Sequence, residues 1–597
     1  MSAFINFLNN KWLLRFIIVF SLSLLFKQSD QYYHWTNSKK VKEGQTTTIN
    51  TDGAGYYAYL PQFFIYQEKP HFQFIKEISE KYKHTQFISG IYYNEHKHYG
   101  IDKYYVGTGI LMSPVFIITH SINSLFEYET DGYSRAYQLC VAFSAILYWL
   151  IGVIGLIYLM NYFNVSNGLK IVMIITLTFA TNLNFYTVYF PSFSHVYSFA
   201  TITWLFYFLL KLKDHFILKF IIPVAILLGF VFLIRPTNLM IGIVIPFLVF
   251  NKSNIKLRLL EYKLLIIPTI LFFSLVFVQL YINYLQIGEW TFNTYKAEGF
   301  DYLSNPKWKE VLWSYRKGLF VYGPVLLWLV PGVIFSIKKN AKLTIIGIVL
   351  FIVWLYLTSS WWCWWYGGGL GMRPFVDLMG FFVIYIALLL KDYKKVMIMY
   401  LLTLIPAVYL YQTNQIQYCK NILHYDDMSK VDYWRTFMKT DNRFSWMLHL
   451  KNDTIEDHQI VNKKSYFLDQ QTTTWGLTQK VYKHFLNLKY EVVDPDLTIP
   501  LKKIVQYGFR FNGELEIGNQ DSNPAFSLLF YKEGNEIGWK HNYAGMLIDK
   551  RDSPQKFIMD YIVEPNYRNA DSVRIVFSKG VPYTAVRNLQ FDLLELN

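Results

Sequence analysis

The chain has 597 residues, of which 53% are hydrophobic, 19% aromatic and only 17% charged, with a formal net charge of +15. A soluble domain carries about a quarter charged residues, so the composition argues against an ordinary soluble enzyme. The basic excess also fails as a nucleic-acid signature, because the Lys and Arg residues fall in short clusters between apolar runs rather than along a groove.

Apolar runs recur along the first two thirds of the chain, and a hydrocarbon core takes about 20 residues of helix, which predicts a polytopic α-helical membrane protein with about eleven spans. They fall near 12–27, 137–161, 169–184, 196–212, 216–234, 237–250, 264–285, 319–337, 343–358, 375–390 and 396–412. The first run has Lys11 and Arg15 at its start and could mimic a signal peptide. It is followed by Lys27, Gln28, Ser29 and Asp30 rather than a small-residue cleavage site, so a retained helix is expected. Basic clusters at Lys211 and Lys213, at Lys252, Lys256, Arg258 and Lys263, at Lys338, Lys339 and Lys342, and at Lys391, Lys394 and Lys395 occupy alternate connections. The positive-inside rule then puts the N-terminus in the cytoplasm and the C-terminus outside. Segment 106–122 is apolar but carries Gly107, Gly109 and Pro114; counting it as a span would turn basic loops outward, so it is expected to lie in or dip into the outer interface.

The elaborate sequence is then all external: a long first loop at 28–136, a connection at 185–195, loops at 286–318 and 359–374, and everything past 412. Residues 413–471 read as a linker. From 472 to 597 short alternating strands are split by turn signals at Asn512-Gly513, 519–524, 533–536 and 565–571, the pattern of an antiparallel β-sandwich domain. Three cysteines, Cys140, Cys363 and Cys419, make no framework.

Candidate site residues gather on the outer side. Asp52, in Thr51-Asp52-Gly53-Ala54-Gly55-Tyr56-Tyr57, follows a polar linker and precedes an aromatic segment able to roof a cavity; the bland alternative is a capping acid with turn glycines. Lys103 sits just before the interfacial segment, either snorkelling to headgroups or holding a lipid phosphate. Arg235, Arg316 and Arg373 stand at outer helix ends, against the charge rule. Each is a structural ion pair or an arm of a phosphate clamp, for which a planar fork is suited. His195 enters the membrane from outside. Trp361, Trp362, Trp364, Trp365 and Tyr366 form an interfacial belt or a sugar-stacking wall, and Gly367–Gly371 beside them reads as a flexible lid in the second case. Asp494-Pro495-Asp496 reads as a turn rather than a metal-nucleotide motif, and His96-Lys97-His98 beside Glu95 lacks a second ligand pair for zinc.

These segments, in this order, resemble the GT-C glycosyltransferases. These are polyprenyl-phosphate-sugar-dependent membrane enzymes that include the protein O-mannosyltransferases and the bacterial transferase adding aminoarabinose to lipid A. The likeness is greatest to an uncharacterised bacterial membrane subgroup with similar DG-x-GYY-x-YLP, KY-x-x-GT, FSH-x-YSF, R-x-GLF-x-Y-x-P and WWYGG-x-x-G-x-R segments, and it covers residues 1–412. It implies inverting transfer of a sugar to an acceptor hydroxyl on the outer face of a bacterial cytoplasmic membrane. Asp52 would be the catalytic base, Lys103, Arg373 and Arg316 the donor-phosphate ligands, and Tyr56, Tyr57, His195, Trp365 and Tyr366 the substrate contacts. The acceptor is a glycan, lipid or protein; no nucleic acid and no organic cofactor is implied, and a divalent metal stays open. Many relatives carry a second acid or an arginine right after the catalytic Asp, where this chain has Gly53 and Ala54. A transporter or flippase of lipid-linked saccharides and a non-catalytic envelope assembly protein are the competing classes.

Overall fold

The computed structural model describes residues 9–34, 47–67, 71–94, 99–249, 262–295 and 298–441, Phe444, and a series of strands between 460 and 596. It divides into two compact units, Met1–Gln412 and Thr413–Asn597.

The first unit is predominantly helical. Among the described residues seven helices are long and apolar enough to cross a membrane: Lys11–Tyr33, Gly107–Leu125, Arg135–Tyr162, Lys263–Ile287, Lys339–Ser360, Arg373–Asp392 and Lys395–Cys419. Shorter apolar helices, such as Asn167–Ala180 and Leu218–Ile234, stand between them. We label α1 (Lys11–Tyr33), α2 (Thr51–Pro61), α3 (Phe74–Tyr82), α4 (Gly107–Leu125), α5 (Arg135–Tyr162), α6 (Asn167–Ala180), α7 (Leu183–Val188), α8 (His195–Asp214) and α9 (Leu218–Ile234). After α10 (Ile245–Val249) come α11 (Ile266–Ile287), α12 (Trp308–Trp313), α13 (Leu319–Tyr322), α14 (Leu329–Ser360), α15 (Met379–Asp392) and α16 (Lys394–Cys419).

Three places depart from the expected spans. Segment 106–122, expected to lie in or dip into the outer interface, falls in one continuous 19-residue helix, α4. Its Pro114 cannot donate to the Ile110 carbonyl, but the Ser113 hydroxyl donates there instead at 2.7 Å, so the helix passes through the proline. The 185–195 connection begins inside a helix, α7. The run expected at 319–337 breaks into α13, a tight turn at Pro324–Trp328 and the start of α14. That helix meets the next predicted span at a kink on Asn340 (φ −151°, ψ 75°), whose side chain caps Leu343 N–H at 3.0 Å and restarts the helix.

Helices α5 and α8 run side by side in the same direction, with Tyr148 against Tyr197, Trp204 donating to the Ile151 carbonyl at 3.0 Å, and Tyr162 on Asp214 at their far ends. Gly152 permits this approach, since a Cβ there would meet the Phe199 ring. The start of α8, the end of α9 and the turn Arg373–Leu378 leading into α15 meet at one end of the bundle, and α2 docks onto that end.

The first loop also holds a hairpin, β1 (Ile91–Asn94) with β2 (Tyr99–Asp102). The second unit holds α17 (Lys430–Thr436) and the strands β3 (Ile460–Phe467), β4 (Thr473–Gly476), β5 (Glu491–Val492), β6 (Thr498–Pro500), β7 (Gln506–Ile517), β8 (Ala525–Lys532), β9 (Asn535–Tyr543), β10 (Gln555–Ile562), β11 (Ser572–Ser578) and β12 (Tyr583–Leu596). These strands form two five-stranded antiparallel sheets, β10-β7-β12-β3 with β4 on β12, and β5-β11-β8-β9 with β6 on β11. Strand β7 (Gln506–Ile517) runs straight through Asn512-Gly513, expected as a turn. The sequence signal there has another cause: on β12 (Tyr583–Leu596) the register jumps between Arg587 and Gln590, so two residues oppose Gly513 alone, a β-bulge. Arg510 on β7 and Asp560 on β10 (Gln555–Ile562) form a two-point ion pair at 2.8 and 3.0 Å.

Candidate active site

Asp52 lies in the first turn of α2, a helix buried along nearly its whole length. The glycines around it are not turn glycines. A Cβ on Gly53 would collide with the Ser192 side chain, and one on Gly55 with the Tyr104 ring, so both residues let α2 press against the loop before α8 and the turn after β2. Thr51, a β-branched residue, is held at φ +43° immediately before Asp52, the kind of backbone strain that concentrates at functional sites.

The Asp52 carboxylate pairs with Arg373 at 2.6 Å (Oδ2 to Nη2) and takes a hydrogen bond from the Tyr104 side chain. Burial alone would raise its pKa; the charges of Arg373 and Lys103 and the two hydrogen bonds outweigh burial and hold it below the ordinary carboxylate value. Arg373 lies over the Phe193 ring at 5.2 Å, and its Nε is buried without a partner among the described residues.

Lys103 and Tyr104 project from a turn pinned by several elements. Lys103 N–H bonds Gly90, its carbonyl accepts from Thr294 at 2.7 Å, and the Tyr104 carbonyl accepts from Tyr59 of α2 at 2.7 Å. From α11, Gln286 accepts Asp102 N–H and Gln279 accepts Val106 N–H, each at 2.9 Å. Gln279, Asn283 and Gln286 form a buried amide stripe at helical spacing on an otherwise apolar helix, with Gln279 donating to Asn283 at 2.7 Å. The Lys103 ammonium itself reaches Glu298 at 2.6 Å, which also accepts from Tyr92 at 3.2 Å, and it lies over the Tyr104 and Tyr295 rings.

Beside this stands a second constellation. His195 Nδ1 meets Asp377 Oδ1 at 2.7 Å, and Asn238 donates to Asp377 Oδ2 at 2.8 Å; all three side chains are buried. Arg235 approaches more loosely, 3.8 Å from Asp377 and 3.4 Å from His195. The two groups share walls. Tyr56 feels both Arg235 and Asp52 and bonds Ser194, Tyr186 sits edge-on to His195 at 4.9 Å, and Tyr366 feels both Arg235 and Arg373.

Of the residues expected at a site, Asp52, Lys103, Arg373, Tyr56, His195 and Tyr366 therefore converge, joined by Arg235. Tyr57 does not: five positions along α2 from Asp52, it is fully buried against Tyr133 and Phe116 and donates to the Gly132 carbonyl. Arg316 stacks on Trp365 at 3.6 Å with Trp364 close by, a cation–π pair rather than a contact with Asp52. The loop expected as a lid is fixed: Gly369 accepts from Lys317, Asn182 donates to the Leu370 carbonyl at 3.0 Å, and Leu370 and Met372 are buried. Asp494–Asp496 and Glu95–His98 lie outside the described residues. Among the described residues no three His, Cys, Asp or Glu side chains converge as metal ligands.

Sequence reasoning missed Asp377, Asn238, Tyr104, Asp102 and Glu298. Two signals were available: Asp377 is an acid inside an apolar run, and the α11 amides recur at helical spacing, whereas ionisable and amide groups in spans are rare without purpose. No protein-family model matches the chain, and no curated protein or solved structure gives a match.

Proposed function

We propose that the protein is an inverting glycosyltransferase that moves a sugar from a polyprenyl-phosphate donor to an acceptor hydroxyl at the outer face of a bacterial cytoplasmic membrane. The observation that carries this reading is the Asp52–Arg373 pair at the end of an apolar helix bundle, with Lys103 close enough to act on the same carboxylate. The acceptor oxygen forms the new bond to the anomeric carbon, its proton passes to Asp52, and the bond from that carbon to the phosphate oxygen breaks. The electron pair leaves with the phosphate, whose growing charge needs a fixed cation.

Arg373 gives this scheme a built-in order. While it neutralises Asp52, the carboxylate is a weak base. An arriving phosphate competes for the guanidinium and frees the carboxylate to accept a proton, so base strength appears only once donor is bound. Tyr56, Tyr366 and His195 line the sugar side, and Arg316 with Trp365 offers a stacking face. The sheets of the second unit, read as a sandwich, suit an acceptor glycan.

A transporter of lipid-linked saccharides is the second reading, favoured by the buried Asp377, Asn238 and α11 amides within apolar helices. Transfer from a radiolabelled polyprenyl-phosphate sugar in membranes separates the two. Asp52→Asn keeps the shape but removes the base, and the rate is expected to fall about 10²–10⁴-fold. Equal rates for the two proteins reject the chemistry.

A further inference from the structure

Asp102 ends β2 two residues before Tyr104, and the scheme above gives it no role. Its side chain is fully buried. Oδ1 accepts the Tyr104 N–H at 2.9 Å, while Oδ2 is buried with no partner among the described residues. The groups facing it among the described residues are Gly55 and Tyr59 from α2, Gln286 from α11, and Lys103 and Tyr104 from its own turn. Of these only Lys103 is a cation, and its ammonium is turned to Glu298. A carboxylate sealed in such a place, with one hydrogen bond and no direct counter-ion, is costly, and the group takes up a proton instead.

We infer that Asp102 is a positioning residue that works in its neutral, protonated form: it holds the turn 102–106 so that Tyr104 meets Asp52, and loss of its proton loosens that turn. The geometry makes the link short. The same carboxyl fixes Tyr104 N–H, the Tyr104 carbonyl is held by Tyr59, and the Tyr104 side chain bonds Asp52. Burial pushes the Asp102 carboxyl up to about 8, against a smaller pull downward from Tyr104 N–H and Lys103. The folded protein therefore keeps a proton that the unfolded chain has lost. The stability this group contributes is complete below the ordinary carboxylate range and is lost as pH rises toward 8.

The test compares full-length wild type with Asp102→Asn, whose amide copies the neutral acid and keeps the acceptor for Tyr104. The first readout is thermal unfolding of the purified proteins from pH 5 to pH 9, which needs no donor and no activity. The wild-type midpoint is expected to fall toward pH 8 relative to that of Asp102→Asn; parallel curves would overturn the inference. The second readout rests on the transferase reading. The wild-type rate should drop about tenfold from pH 7 to pH 9, following a group that titrates near 8, while Asp102→Asn changes less than about twofold. The same alkaline fall in both proteins would also overturn it. If no transfer is found in wild type, the transferase reading fails and the unfolding curves still decide the role of Asp102.

Discussion

The Asp52–Arg373 pair has a consequence for pH that a passive salt bridge would lack. Arg373 is the largest influence lowering the Asp52 pKa, and burial opposes it. Replacing Arg373 by Gln leaves burial in command, so the carboxyl titrates at higher pH. If Asp52 is the base, the acid limb of the kcat/KM profile should move to higher pH in Arg373→Gln, on top of any loss of rate. An unmoved limb with a lower plateau would make Arg373 a phosphate ligand alone. Arg235 is the less committed arginine, with no ionic contact closer than 3.8 Å among the described residues and a guanidinium that still acts on Tyr56, Tyr366 and Arg373. At this scale the sequence was a partial guide. Asp52 and Arg373 stood out because each interrupts an expectation, an acid beside a membrane and a cation on the wrong side of it. Asp377 did not, because one acid near the start of a long apolar run looks like its boundary.

Elements were legible where burial dictates them and illegible where a single side chain decides. The apolar runs became helices because a spanning segment must satisfy its own backbone. That α4 would continue through Pro114 depended on one serine hydroxyl, and that the 319–360 region would join at a kink depended on Asn340. The glycines of α2 carried a signal whose only reading in the sequence was the bland alternative of turn glycines. They are spacing devices that seat the helix, and this can be checked. Gly53→Ala places a methyl group against Ser192, whose hydroxyl is fixed on the Thr48 carbonyl at 2.6 Å. Overpacking of this kind costs about 1–3 kcal/mol, so the unfolding midpoint should fall. Transfer should fall further than that loss accounts for, because the shift displaces Asp52. A folded Gly53→Ala protein with wild-type activity would mean that the seating of α2 does not set the site.

For the first unit as a whole, the path of the chain around α4 bears on which side of a membrane the site would face. Before α4, Thr48 donates to the Gln138 carbonyl at 2.9 Å, and Tyr57 donates to the Gly132 carbonyl; both partners belong to the start of α5 or the turn before it. The ends of α4 itself touch this same region, Gly107 against Leu233 and Ile234 at the end of α9 and His120 against Tyr137 at 2.6 Å. The chain therefore enters and leaves α4 at one end of the bundle, although the helix is long and apolar enough to cross. Counted as a crossing, α4 would separate Asp52 from residues that its own helix touches. Counted as lying along the interface, it keeps Asp52 external and the clusters near Lys213 and Lys342 internal, in agreement with the positive-inside rule. Single cysteines in a chain whose three native cysteines are replaced by serine test this directly. Glu127→Cys, just past α4, should react with a membrane-impermeant maleimide in intact cells, whereas His215→Cys and Ala341→Cys should react only after permeabilisation. Protection of Glu127→Cys together with labelling of His215→Cys would turn the bundle over and put Asp52 on the wrong side for an externally acting transferase.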